Sequence, residues 1–86
     1  MGRRAGEGRA YCNLGNAYHK LSDLKKAAEY HQLDLKITTD LGDQAGQGCA
    51  YRNLGNVYYS LGDFKTAMDY SERDRKSTRL NSSHRL

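Results

Sequence analysis

The sequence predicts an all-α fold built from two helical hairpins that stack side by side. Three observations predict it. A long stretch recurs after 40 residues, apolar residues recur at three- and four-residue steps within each copy, and the 86 residues include no proline. A period between roughly 20 and 50 residues is typical of stacked solenoids, and the apolar steps are typical of amphipathic helices.

The repeat is close to perfect over much of the chain. YCNLGNAYHKLSDLKKAAEY, Tyr11 to Tyr30, returns as YRNLGNVYYSLGDFKTAMDY, Tyr51 to Tyr70, and fifteen of the 26 positions of 5–30 are identical in 45–70. The phase divides the chain into a first repeat, 1–42, a second repeat with a truncated second helix, 43–76, and a tail, 77–86. Because the first copy begins in what would be a linker, we expect a fragment of a longer array.

Each copy begins with a helix, predicted at about 5–21 and 45–61. The apolar stripes that predict these helices are Ala10, Leu14, Ala17, Tyr18 and Leu21, and then Ala50, Leu54, Val57, Tyr58 and Leu61. Gly15 and Gly55 interrupt the helices at the same phase, at a cost of about 1 kcal/mol each relative to alanine. We expect them to allow close approach of the paired helix, with Ala27 and Ala67 facing them.

Each copy continues with a second helix, predicted at about 23–40 in the first copy. Ser22-Asp23 and Gly62-Asp63 mark the turns, since aspartate is a good N-cap and glycine ends helices. Tyr11 and Tyr18, like their counterparts forty residues on, are spaced by seven. We interpret these tyrosines as packing residues between the hairpins, with hydroxyls at the edge.

Charge and composition exclude several classes of protein. No apolar run approaches the length of a membrane span, and there is no signal peptide at the start. Two cysteines give no disulfide framework, so we expect a reduced, cytoplasmic protein. The net charge of +4 does not indicate nucleic-acid binding, because nine Lys and Arg balance nine Asp and Glu in 1–72 and the excess lies in the last fourteen residues.

The order aromatic-x-x-Leu-Gly-x-x-Tyr, then Gly-Asp, then alanine in the second helix resembles the tetratricopeptide repeat. The string LGN-x-Y-x-x-LGD and the AGxG linker are similar to its 40-residue, LGN/Pins-type subclass, and the resemblance covers about residues 3–72. Ser22 departs from it, because this turn usually has glycine. The resemblance implies a right-handed superhelix and a non-catalytic scaffold that binds a peptide of a partner protein in a groove lined by the first helices.

The candidate groove residues lie opposite the apolar stripes of the first helices. One row has Arg9, Asn13, Asn16 and Lys20, and the other has Arg52, Asn56 and Tyr59, with Asn53 beside it. Asparagine can donate to and accept from a peptide backbone, and arginine can grip a carboxylate, so the partner is expected to be acidic. Asn13 and Asn53 have a second interpretation, as partners of backbone groups on neighbouring helices.

Other functions find little support. The alternative to a scaffold is a structural spacer that binds only the next repeat. Cys12 and His19 lie on one helix, but two ligands make no metal site, and His31 is interpreted as packing or surface. No catalytic triad or phosphate loop is present, so the sequence predicts neither enzyme activity nor a cofactor.

The tail breaks the pattern, since Leu35 and Ile37 are replaced by Arg75 and Ser77. We expect fraying or disorder from about residue 75. DRKSTRLNSSH, Asp74 to His84, also resembles a translated sequencing adapter, which would make it an artefact; the alternative is a natural basic tail. Two repeats without a polar capping helix leave an apolar flank on the second hairpin, which predicts marginal stability or self-association.

Overall fold

The computed structural model describes the backbone of residues 2–83 and the side chains of residues 6–76. Four helices follow one another: α1, Gly2–Lys20; α2, Leu24–Leu41; α3, Gln44–Leu61; and α4, Phe64–Ser83. No strand occurs within 2–83. The all-α prediction of two helical hairpins is therefore confirmed.

Short turns of one design join the helices. An aspartate caps the start of each following helix: Asp23 Oδ1 accepts from the Lys26 amide at 3.4 Å, Asp43 Oδ1 from Gly46 at 2.9 Å, and Asp63 Oδ1 from Thr66 at 3.3 Å. These bonds satisfy amides that a helix start leaves open. The predicted Ser22-Asp23 and Gly62-Asp63 turns are confirmed.

The residue before each aspartate is left-handed. The φ angles are 66° at Ser22, 70° at Gly42 and 86° at Gly62. In each turn, the amide of the following aspartate donates to a carbonyl five residues back, as Asp23 does to Tyr18 at 2.9 Å. Glycine adopts this conformation without strain and serine does not. Ser22 therefore adopts the glycine conformation despite its side chain.

The two hairpins are α1 with α2 and α3 with α4, and α2 packs on α3 to join them. The core of that junction is a cluster of buried residues: Ala27, Ala28, Leu54 and Val57. Leu24, Leu35 and Tyr58 pack against this cluster from its edges. One apolar layer thus runs through the middle of the molecule, between the hairpins.

The outer face of α1 is open. Leu14 is 41 % exposed and Leu21 74 %, whereas Leu54, the repeat counterpart of Leu14, is fully buried. The physical reason is that α2 covers Leu54 of α3, while among the described residues no helix covers Leu14 and Leu21 of α1; Tyr18 of the same stripe packs on Tyr30 of α2. The periodicity predicted the stripe correctly but could not tell which copy of it is covered.

The glycines lie at close helix crossings, as predicted, but their neighbours differ between the hairpins. A side-chain carbon at Gly55 would lie 3.4 Å from the Ala67 carbonyl, in agreement with the expected pairing. At Gly15 it would lie 2.7 Å from the ring of His31. The expectation that Ala27 is the residue against Gly15 is therefore wrong in its nearest contact, because the larger histidine ring fills that space.

The tyrosine rings stack on one another within each hairpin, and the prediction that tyrosines pack between the hairpins is confirmed for Tyr58, which lies against the cluster at the junction and accepts a hydrogen bond from Gln32 of α2. Tyr30 of α2 stacks with Tyr18 at 5.5 Å between ring centroids and with Tyr11 at 6.0 Å. Tyr70 of α4 stacks in the same way with Tyr58 and Tyr51 of α3. The seven-residue spacing holds two rings of one helix against a single ring of its hairpin partner.

Helix α4 continues beyond residue 76, where the sequence analysis ended the second repeat. Its backbone is helical to Ser83, and neither glycine nor proline occurs after Gly62 to end the helix. The expected fraying from about residue 75 and the tail at 77–86 stay predictions. The origin of 74–84 stays a prediction; the side chains of 77–86 and the backbone of 84–86 lie outside the described part of the chain.

Candidate functional site

Helices α1 and α3 lie side by side in register. His19 Nε2 lies 3.2 Å from Ser60 Oγ, and Asn53 Nδ2 donates to Cys12 Sγ at 3.5 Å. Each contact joins residues 41 apart, close to the repeat period of 40. The polar side chains near these contacts form one surface, which we call the α1–α3 surface.

The row predicted on α1 lies in the open. Its members are all exposed: Arg9, Asn13, Asn16 and Lys20. Asn16 and Lys20, together with His19, line a shallow cleft of about 400 Å³. Asn16 Nδ2 also lies 3.9 Å from Cys12 Sγ, a long contact that leaves its carbonyl oxygen available. The α1 row therefore offers both amide and ammonium groups to a ligand.

Arg52 of the second row turns towards α4. Its Nε lies 3.6 Å from Asp74 Oδ2, and its side chain is 64 % exposed. The Asp74 side chain is 22 % exposed, and a pair this close to the surface contributes about 0–1 kcal/mol. Arg52 remains accessible, but it has an intramolecular partner.

Asn56 and Tyr59 of the second row border a different depression, which we call the α3–α4 cleft. It measures about 450 Å³ and is lined by Gly55, Asn56, Tyr59, Phe64, Ala67, Met68 and Ser71. The ring of Tyr59 packs on Phe64, with 5.1 Å between centroids. The structure thus brings the α1 row and Asn53 together on one surface, and directs Asn56 and Tyr59 towards α4.

Asn53 connects the two first helices. It is half-buried, and its amide donates to the Cys12 thiol of α1 and so contacts a neighbouring helix through a side chain. Asn13, at the equivalent position of α1, is exposed. The partner of Asn53 is a sulfur atom and not a backbone group, so the second interpretation of these asparagines stays a prediction.

A comparison with protein-family models matches residues 6–73 to the tetratricopeptide repeat. The chain belongs to the tetratricopeptide repeat family. A comparison with curated proteins finds no match for it. Membership indicates a role in protein–protein interaction, whereas the assignment to the LGN/Pins-type subclass stays a prediction.

Cys12 lies on the α1–α3 surface, where it contacts Asn16 and Asn53, but it was not among the residues predicted for the site. Burial raises the pKa of its thiol above the usual 9.0, and the nearby Asp34 and Cys49 raise it further. The thiolate is the reactive form of cysteine, so a raised pKa lowers the fraction of thiolate near neutral pH. Cys12 acts as a hydrogen-bond acceptor between helices; the sequence signal was its position one helical turn before Asn16.

The two tetratricopeptide hairpins differ in how they hold an equivalent acid. Asp34 of α2 and Asp74 of α4 both pack on a glycine of the preceding helix, Gly8 and Gly48. Asp74 has Arg52 beside it, whereas the equivalent position near Asp34 is Cys12. Burial, and then the charge of Asp43, raise the pKa of Asp34 to about 6.

His31 lies inside the first tetratricopeptide hairpin. It is fully buried, and neither ring nitrogen has a hydrogen-bond partner among the described residues. Burial, and then His19, lower the pKa of this histidine below its usual 6.5. His31 is therefore a neutral packing residue against Gly15, which resolves its two sequence interpretations in favour of packing.

The described part of the chain has neither a metal-binding cluster nor a membrane-spanning helix. No group of three or more His, Cys, Asp or Glu residues there could hold a metal ion. None of the described helices is long and apolar enough to cross a bilayer. The polar features of the site are thus hydrogen-bonding and charged side chains.

Proposed function

We propose that this chain is a non-catalytic scaffold that binds a peptide segment of a partner protein on the α1–α3 surface. The observation that carries the proposal is the register of α1 and α3, fixed by the His19–Ser60 and Cys12–Asn53 contacts. It places the exposed amides and cations of α1 beside Asn53 of α3 along one surface. Such a surface suits a ligand with a regular backbone.

The chemistry of the surface favours an acidic peptide. Arg9 and Lys20 stand on the exposed row of α1, with Asn16 between them. Asn16 can donate to a peptide carbonyl and accept from a peptide amide, which fixes register, while the cations favour carboxylates. Arg52 contributes when a ligand carboxylate replaces Asp74 beside it. A cytoplasmic location fits this proposal and stays a prediction.

A second candidate is a structural spacer, and a specific observation favours it. Several predicted binding residues already have intramolecular partners: Arg52 pairs with Asp74, Asn53 with Cys12, and Tyr59 with Phe64. In a spacer these residues would serve only to make these intramolecular contacts. The two candidates differ in whether the exposed α1 row has a ligand.

The test uses random peptides of about ten residues, which span roughly 34 Å when extended. Peptides are selected on the wild-type chain, and their affinity is then measured by fluorescence anisotropy. We expect acidic sequences, and at least about a tenfold weaker Kd for the double variant Asn16→Ala with Lys20→Ala. Binding should also weaken with added salt, because exposed charges are screened.

The matched control is Lys36→Ala, which removes an exposed lysine of α2, away from the α1 row. Circular dichroism checks that every variant keeps its helical content. If selected peptides bind the Asn16/Lys20 variant as tightly as the wild type, the α1 row is not the site. A chain that selects no peptide at all supports the spacer.

A further inference from the structure

The α3–α4 cleft has a counterpart in the first hairpin that is already filled. Shifted back by 40 residues, the lining of the cleft becomes Gly15, Asn16, His19, Leu24, Ala27, Ala28 and His31. Helix α3 covers much of this set: Ala27 and Ala28 share the buried cluster with Leu54, and His19 contacts Ser60. By repeat symmetry, the α3–α4 cleft is a docking site, called the seat below, for a helix that resembles α1 or α3.

The large apolar side chains that line this cleft are exposed. Phe64 is 56 % exposed and Met68 65 %, whereas Ala28, the counterpart of Met68, is 8 % exposed. Large apolar side chains grouped on a surface commonly mark an interaction site. The seat therefore lacks its covering element within the described residues.

The chain carries a helix shaped for this seat. Helix α1 repeats the face by which α3 packs on α2, with Leu14 in place of Leu54 and Leu21 in place of Leu61. That face of α1 is open: Leu14 is 41 % exposed and Leu21 74 %. A side-chain carbon at Gly46 would collide with Thr38 of α2, whereas nothing lies within 4 Å of the same carbon at Gly6.

The sizes of the side chains on the two open faces are complementary. Inside the molecule, Ala28 on α2 shares a cluster with Val57 on α3. On the two open faces the sizes are exchanged: Met68 of α4 occupies the position of Ala28, and Ala17 of α1 occupies the position of Val57. A volume gained on one face is thus compensated on the other, as close packing requires. This match favours a second copy of the chain over an unrelated partner.

We propose that a second copy of this chain seats its α1 in the α3–α4 cleft, so that copies stack head to tail as the two hairpins do within one chain. The proposal does not depend on peptide binding by the α1–α3 surface. The contact is heterologous, because each copy uses α4 at one end and α1 at the other. Such a contact does not close on itself and adds copies without a fixed number.

Arg75 weakens the proposed contact relative to the internal one. It occupies the position of Leu35, which packs against the internal cluster. We therefore expect reversible association, visible as a weight-average mass that rises continuously between about 10 µM and about 1 mM. Sedimentation equilibrium measures this directly on the 86-residue chain.

The decisive experiment blocks each end separately. Met68→Glu places a charge in the seat, and Leu14→Glu places one on the α1 face; each should weaken self-association at least about tenfold. Each variant keeps one intact end, so an equimolar mixture should form a heterodimer that does not grow further. Ala17→Glu serves as a second α1 variant, since alanine at this exposed position contributes little to folding.

The matched control is Leu33→Glu, which adds the same charge at a leucine that is 42 % exposed on α2, away from both ends. It should associate like the wild type. A wild type that stays monomeric overturns the proposal. A Met68→Glu variant that associates like the wild type also overturns it. So do Leu14→Glu and Ala17→Glu variants that both still dimerise, because the contact would then join two α4 faces.

Discussion

At the scale of single residues, the repeat provides internal comparisons of one residue type in two environments. Asp34 and Asp74 occupy equivalent positions, but only Asp74 has an arginine at the place equivalent to Cys12. Asp34 is 5 % exposed, so its charged form is desolvated without that compensation. The first hairpin therefore holds an acid that opposes folding when ionised.

Stability should accordingly fall as pH rises through the titration of Asp34. Its folded-state pKa, raised to about 6 from 3.8, means that the folded state favours the protonated form, whose stabilisation is complete below about pH 4 and lost above about pH 6. We expect Asp34→Asn to raise the free energy of unfolding by about 2 kcal/mol near pH 7 and by about zero near pH 3.5. Urea unfolding at both pH values measures it.

The comparison of variant with wild type removes the opposite effect of His31. Because its pKa is lowered, His31 loses stabilisation as pH falls below about 6.5 in both proteins. Asp69→Asn, at an exposed acid of α4, is the control and should change stability little at either pH. A gain for Asp34→Asn that is equal at both pH values would contradict ionisation as the cause.

Ser22 gives a second residue-scale prediction. Its φ of 66° is a glycine conformation, and a non-glycine residue there costs about 1–2 kcal/mol. Allowing for the greater freedom of glycine in the unfolded chain, Ser22→Gly should stabilise the protein by about 0.5–1 kcal/mol. The reverse change at the equivalent turn, Gly62→Ser, should destabilise it by a similar amount. Equal and opposite shifts of the urea midpoint are expected, and two destabilising changes would contradict the turn argument.

At the scale of elements, each hairpin is held by a crossing at a glycine, and the two crossings differ in tightness. The ring of His31 is fully buried against Gly15, so it cannot move aside to admit a methyl group. The side chain at the same position of α4 is Ser71, whose hydroxyl would lie 3.4 Å from a carbon at Gly55. The same substitution should therefore have opposite consequences in the two hairpins.

Gly15→Ala should destabilise the protein by about 1–3 kcal/mol through overpacking. Gly55→Ala should be neutral or stabilising by up to about 1 kcal/mol, since contact is ordinary there and alanine favours the helix. Replacing the ring in the double variant Gly15→Ala with His31→Ser, which copies the pair at 55 and 71, should recover most of the loss. A double-mutant cycle of unfolding free energies tests the coupling, and additive losses would show that the ring is not the obstacle.

At the scale of the whole molecule, the sequence predicted what depends on local chemistry. Helices and turns follow from apolar spacing, aspartate caps and glycine at positive φ, and the structure confirms them. The side towards which each polar row faces was not predictable, because the rotation of α3 is set by its packing on α2. The row of Arg52, Asn56 and Tyr59 therefore lies towards α4 and not beside the row of α1.

The burial of a residue could not be predicted from the local sequence pattern either. Leu14 and Leu54 stand in identical sequence, NLGN, but one is 41 % exposed and the other fully buried. The difference arises because only α3 has a helix on its outer face. Stability is therefore concentrated at the junction of the hairpins rather than shared equally between the repeats.

This concentration can be measured with one substitution made at two positions. Leu54→Ala leaves a cavity in the central cluster and should cost about 2–5 kcal/mol, enough to unfold so small a domain or nearly so. Leu14→Ala should cost less than about 1 kcal/mol in dilute solution, where no second copy covers α1. At concentrations where copies stack, its cost should rise, because the same leucine then fills the seat on α4. Equal losses for the two variants at every concentration would mean that the hairpins contribute separately, and that the junction does not hold the molecule together.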